Sequence, residues 1–152
     1  MNAAEQALQY LESHHVVTLA TFDGGMPWAA AVFYVNDGYD LFFLSSPATR
    51  HCVNLANNPQ VSATIQEDYD HWPKIKGVQL EGVAHEIFGF DETAARKLYG
   101  EKYPLVGKLA QAPAFIVKAL AKVRWYKIHP TRLYFIDNSA GFGHRDEIDL
   151  TR

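Results

Sequence analysis

LFFLSSPATRHCVNLANNPQVSATI, residues 41–65, switches pattern twice. Leu41 to Leu44 is a continuous apolar run of strand character, and Ser45-Ser46-Pro47 breaks it. Beyond the break, Cys52, Val53, Leu55 and Ala56 fall at helical spacing. Asn57-Asn58-Pro59 ends that helix, because the residue before a proline is pushed out of the helical region. Val61 to Gln66 then resumes as a strand. A short helix set between two strands, entered through a hydroxyl-rich turn, is the centre from which the other elements are read.

Outward from it, Ala3 to Ser13 reads as a helix, with Ala7, Leu8, Tyr10 and Leu11 on one side and Glu5, Gln6, Gln9 and Glu12 on the other. His15 to Phe22 and Pro27 to Val35 are extended, and Asp23-Gly24-Gly25 joins them as a hairpin. Asn36-Asp37-Gly38 turns the chain into Tyr39 to Leu44, which completes a three-strand meander. Gly77 to Phe88 is a long strand with a glycine at its middle, where a barrel wall can bend. Asp91 to Tyr103 is a helix with Asp91 as N-cap, and Leu105 to Lys122 is a further helical stretch interrupted by Pro113. Arg124 to His129 and Arg132 to Asp137 are the last two strands, joined at His129-Pro130. The expectation is a mainly β protein with a few short helices, an antiparallel barrel of six or seven strands. It forms one domain over 1–152, with a helix over 3–13 and a polar tail from about 139 onward.

A chain of 152 residues with an apolar fraction of 48 % can bury one core, which excludes a disordered polypeptide. A net charge of −3 gives no electrostatic basis for nucleic acid or an anionic membrane as partner. Cys52 is the single cysteine, so no internal disulfide can form. Met1 to Glu12 lacks the basic start of a signal peptide, and the weakly polar run Leu109 to Ala121 is too short to span a bilayer. The expected setting is the cytoplasm.

Four constellations carry possible chemistry. Ser45, Ser46, Thr49, Arg50 and His51 converge on one turn at a helix start, which suits a phosphate and equally suits an ordinary capped helix. Pro27 to Tyr34 contains small or branched residues, Ala29 to Val32, that let a flat ligand approach the backbone; the same pattern packs a core strand. Gln79, between Gly77 and Glu81 on one strand face, can bond a heterocycle edge or simply meet water. The tail Asp137 to Arg145, with its glycine-rich turn, can be a lid, a dimer contact or a frayed end. No G-x-S-x-G, P-loop, G-x-G-x-x-G, H-E-x-x-H or paired C-x-x-C occurs, and the seven histidines are scattered. No metal site is therefore expected, no catalytic acid or base stands out, and Cys52 reads as a packing residue.

Residues 41–65, followed by GVQLEGVAHEI (77–87) and the tail D-N-x-x-G-F-G (137–143), resemble the flavin-binding split-barrel family related to pyridoxamine 5′-phosphate oxidase. The resemblance runs over roughly residues 5–140 in element order, and the tail is similar to that of a poorly characterised bacterial subgroup. It implies a C₂ homodimer with one flavin mononucleotide (FMN) in each of two clefts at the interface. It also implies that Thr49, Arg50 and His51 hold the phosphate, that Leu44 and Ser45 touch the flavin, and that Ala29 to Tyr34 run beside the ring. The candidate cofactor-binding set is Ala29, Ala31, Val32, Phe33, Tyr34, Leu44, Ser45, Ser46, Thr49, Arg50, His51 and Gln79. The sequence departs from the oxidase pattern at Ala29 and Tyr34, where that pattern has an arginine and a lysine. Near the oxidase's C-terminal tryptophan and arginine-histidine positions only Ile136, His144 and Arg145 can be placed, which disfavours pyridoxamine-phosphate oxidation itself. The expected function is an FMN-dependent oxidoreductase or flavin reductase acting on a small molecule the sequence does not name. The alternatives are a non-catalytic module holding flavin or heme, with His51 or His144 on the iron, and a scaffold whose site has decayed.

Overall fold

In the computed structural model, which describes residues 1–151, period-two alternation builds the wall. β1 (Val16–Thr21), β2 (Trp28–Asp37) and β3 (Asp40–Ser45) form the expected meander. α2 (Arg50–Asn57) then leads into β4 (Gln60–Gln66), which pairs with the other side of β1. β5 (Lys76–Glu86) and β6 (Arg124–Asp137) follow, and β6 returns to β3 to close six antiparallel strands into a barrel. A seventh strand, β7 (Arg145–Glu147), adds to β6 outside the ring.

Inward positions such as Val17, Leu19, Phe43, Ile65, Val78, Ile128 and Leu133 are buried and make the main core. Two helices cover its ends. α1 (Ala3–Ser13) inserts Ala7 and Leu11, and the Tyr34 hydroxyl donates to the Leu11 carbonyl at 2.6 Å. Its start is held by a capping box, in which Asn2 and Glu5 bond each other's backbone amides. α2 inserts Cys52 and Leu55, and its Asn54 amide donates to the Thr21 hydroxyl at 3.0 Å. A second, smaller cluster lies outside the wall, where Val35, Phe42 and Trp125 pack under Ala95 and Tyr99 of α3 (Gly89–Lys102). The short helices α4 (Pro104–Gly107) and α5 (Ala114–Leu120) extend that cover. No helix among the described residues is long and apolar enough to cross a membrane.

Three elements differ from the expectation. His129-Pro130 does not separate two strands: β6 runs through it, and the ladder shifts register opposite Glu81 and Gly82. A bulge there accommodates a proline that cannot donate to the ladder. The chain beyond residue 139 is not simply a polar tail, since β7 pairs with β6 and Ile148 is buried in the main core. Gly141 and Gly143, at φ 151° and 72°, allow the return. α3 begins at Gly89, so Asp91 lies in the first turn rather than at the cap, where its charge still favours the helix dipole.

Gly82 is where the two bulged strands touch: a Cβ there would lie 2.2 Å from the His129 carbonyl oxygen. Gly82→Ala is expected to lower stability by about 1–3 kcal/mol in denaturant unfolding, the usual cost of overpacking. Lys102, at the end of α3, donates to the His14 carbonyl and sits 4.3 Å from the Tyr34 ring centroid. Burial pulls its ammonium down to about 8, against a small opposing pull from Glu12. Between that value and the ordinary lysine range the unfolded chain binds more protons at this site than the folded one, so this group makes stability rise with pH across that window. The rise is expected to shrink in Lys102→Met when unfolding is followed from pH 8 to 10.

Candidate cofactor site

β2 pairs with β1 from Trp28 to Phe33, but with β3 only from Tyr34 to Asp37. Over its first half, one edge of β2 therefore has no strand partner among the described residues. The Tyr34 amide donates to the His15 carbonyl on the β1 side at 2.9 Å. Backbone groups alternate along a strand, so those of Ala29, Ala31 and Phe33 aim at the open side. There the chain leaves β3 at Ser45 and turns through Ser46, Pro47 and Ala48 into α2. The wall is split between that turn and the free edge of β2.

Within the turn, the Ser46 carbonyl accepts from the Thr49 amide at 3.1 Å and from the Thr49 hydroxyl at 2.8 Å. Thr49 also caps α2, its hydroxyl accepting from the Cys52 amide at 3.3 Å. Ser45 and His51 are buried and bond each other, Oγ to Nε2, at 2.6 Å. Burial works to raise the Cys52 thiol, but hydrogen bonds with His51, Thr49, Tyr126 and Ser45 outweigh it and hold the thiol below its ordinary range. Arg50 points the other way. Its guanidinium stacks 4.2 Å from the centroid of the Trp28 ring, and it joins none of the ion pairs among the described residues.

The structure thus separates the expected phosphate trio. Arg50 is exposed beside the split, the Thr49 hydroxyl is engaged in the turn, and the His51 ring is inside with Ser45. Ala29, Ala31 and Phe33 are exposed, whereas Val32 is half-buried and Tyr34 fully buried against α1. Leu44 and Ser46 are half-buried on the opposite bank. Gln79 is not brought to the split. The register places it in a row running Ala31, Thr18, Thr64, Gln79 and Tyr134, three strands away. That is roughly 14 Å at the usual strand spacing. Its side-chain oxygen accepts from Arg145 at 3.2 Å. Ile136 and His144 lie on the same β6–β7 hairpin, His144 bonded to Asp146 at 3.0 Å. Trp28 was not among the expected residues; an aromatic opening a strand of small residues, with an arginine ahead at a helix start, was the available signal.

The outer face carrying this row is made of small or polar residues together with Tyr134. Ala29, Ala20, Ser62, Glu81 and Arg132 form the parallel row below it, and Val16 and Phe33 are exposed at its rim.

The family model described as pyridoxamine 5′-phosphate oxidase matches residues 3–137. A UPF0306 protein of Photorhabdus laumondii is 30 % identical over 150 residues, covering 95 % of this chain and 96 % of its own. Among solved structures, a heme binding protein from Mycobacterium smegmatis superposes with a TM-score of 0.75 at 26 % identity. That match covers 97 % of this chain and 58 % of the other, so this chain spans little more than half of that protein. HutZ, the heme storage protein from Vibrio cholerae, shares the fold with a TM-score of 0.70 at 24 % identity, covering 94 % of this chain and 98 % of its own.

Different stability costs are expected on the two sides of the turn. Ser45→Ala leaves the buried His51 nitrogen with only a 3.3 Å contact to Thr49, and should cost about 1–3 kcal/mol in urea unfolding. Arg50→Ala loses only an exposed ring contact and should cost under about 1 kcal/mol.

Proposed function

This chain belongs to the pyridoxamine 5′-phosphate oxidase family, and on that premise we propose that it is an FMN-binding oxidoreductase or flavin reductase that works as a homodimer. The observation that carries this reading is the free edge of β2 facing Arg50 across the split. A flavin's pyrimidine edge offers one N–H and two carbonyls, which match the alternating donors and acceptors of an unpaired strand edge. Its phosphate requires a cation, and the Arg50 guanidinium is held on Trp28 with no carboxylate competing for it. Ala29 and Ala31 give the ring room to reach the backbone, and Phe33 offers it an apolar contact.

When bound, the flavin supplies the capacity to accept and pass on a hydride or electrons. The chain's own residues bind and orient it. Arg50 anchors the phosphate, while the backbone of Ala29 to Phe33 sets the ring's position and biases its electronics through hydrogen bonds. His51 acts indirectly, fixing the turn through Ser45. The outer face of β1, β2 and β4 receives a second copy of the chain, which covers the split and excludes water. The substrate is a small molecule, and the absence of two strand cations at Ala29 and Tyr34 is offset by the stacked Arg50.

Heme in the same split is the second reading, favoured by the likeness to the heme binding protein from M. smegmatis. Arg50 would then take a propionate. A histidine for its iron would be harder to supply, since the one histidine at the turn, His51, has its Nε2 bonded to Ser45. A flavin titration followed by fluorescence quenching decides the assignment: Arg50→Ala should weaken FMN by about ten-fold or more, the worth of a charge-assisted hydrogen bond. Unchanged affinity overturns the site, and a hemin Soret band on a protein that ignores FMN transfers the split to the second reading.

A further inference from the structure

On the other side of β3, away from the split, α3, α4 and α5 enclose a cavity of about 440 Å³ against the sheet. That lies within the roughly 300–1,000 Å³ range of small-molecule sites. Its walls are apolar: Leu44 from β3, Trp125 from β6, Val106 from α4, and Val117 and Leu120 from α5. Three charged side chains reach it. Arg96 lies 5.3 Å from the Trp125 ring centroid and 3.6 Å from Glu92, while Arg124 joins no ion pair among the described residues. Two cations against one anion leave the cavity's rim positive.

The cover is weakly built for a purely structural role. α4 and α5 have no side-chain cap bond and bury no residue, and Phe115 and Val117 of α5 are exposed by 72 % and 44 %. An apolar space of this size under such a cover lacks the atoms that would fill a native core. Filling it would give both walls their missing contacts.

We propose that this cavity binds a medium-chain aliphatic carboxylate. The chain lies against Leu44, Val106, Val117, Leu120 and Trp125, and the carboxylate meets Arg124, with Arg96 beside it. Each buried methylene tightens binding by about four-fold, and the arginines select an anion over a neutral head group. Of these residues only Leu44 also borders the split, so the site stands whether or not FMN binds there.

The test uses the full chain, without added cofactor, titrated with decanoate below its micelle-forming concentration and read by calorimetry and tryptophan fluorescence. Saturable binding is expected, with decanol and decyltrimethylammonium about ten-fold weaker or worse. Arg124→Gln should weaken decanoate by a similar factor, and Leu120→Glu should abolish binding by placing a carboxylate within the apolar wall. Hydrogen exchange should slow over 104–120 in the presence of decanoate and stay unchanged over 28–33. Unsaturable uptake, equal affinity for decanol, or undiminished binding by folded Arg124→Gln and Leu120→Glu variants would overturn the proposal.

Discussion

The feature on which the rest depends is the short overlap between β2 and β3. Their ladder runs only from Tyr34 to Asp37, although β2 starts at Trp28 and β3 continues to Ser45. Full pairing would satisfy every backbone group and close the wall. Here β3 ends at Ser45 and turns into α2, with β6 paired along its other edge from Leu41 to Ser45, so no β3 residue lies opposite Trp28 to Ala31. The barrel closes through β6 while keeping an opening beside β2. That opening leaves strand-edge groups able to bond something other than protein.

Such an opening persists only if its other bank is rigid. Buried polar side chains provide this. Ser45 bonds His51, Thr49 folds back onto Ser46, and Asn54 ties α2 to Thr21 of β1. No buried side-chain nitrogen or oxygen among the described residues lacks a partner. The small helix is thus locked to the wall by hydrogen bonds that cost much to break singly. The result is a division of labour between successive residues: His51 faces in and braces the turn, while Arg50 faces out onto Trp28.

Much of this was legible in the sequence, and the reasons for the rest are specific. The meander, α2 and the bend at Gly82 followed from turn dipeptides, from the proline after Asn58 and from a glycine inside a strand. β7 was not legible, because Arg145-Asp146-Glu147 has no apolar alternation and becomes a strand only through pairing with β6. The orientation of His51 was equally hidden, since residues adjacent on a helix diverge by about 100° and either could have faced outward. Gln79 was expected either to bond a heterocycle or to meet water, and its distance from β2 depends on strand order, which local pattern does not encode.

The reading of the free edge of β2 as the place where FMN binds underlies the function proposed above. Residue-resolved hydrogen exchange, with and without saturating FMN, tests it most directly. Slowed exchange is expected at the Ala29, Ala31 and Phe33 amides together with those of Ser46, Ala48, Thr49 and Arg50. Protection confined to other parts of the barrel, or none at all while FMN is bound, would contradict it.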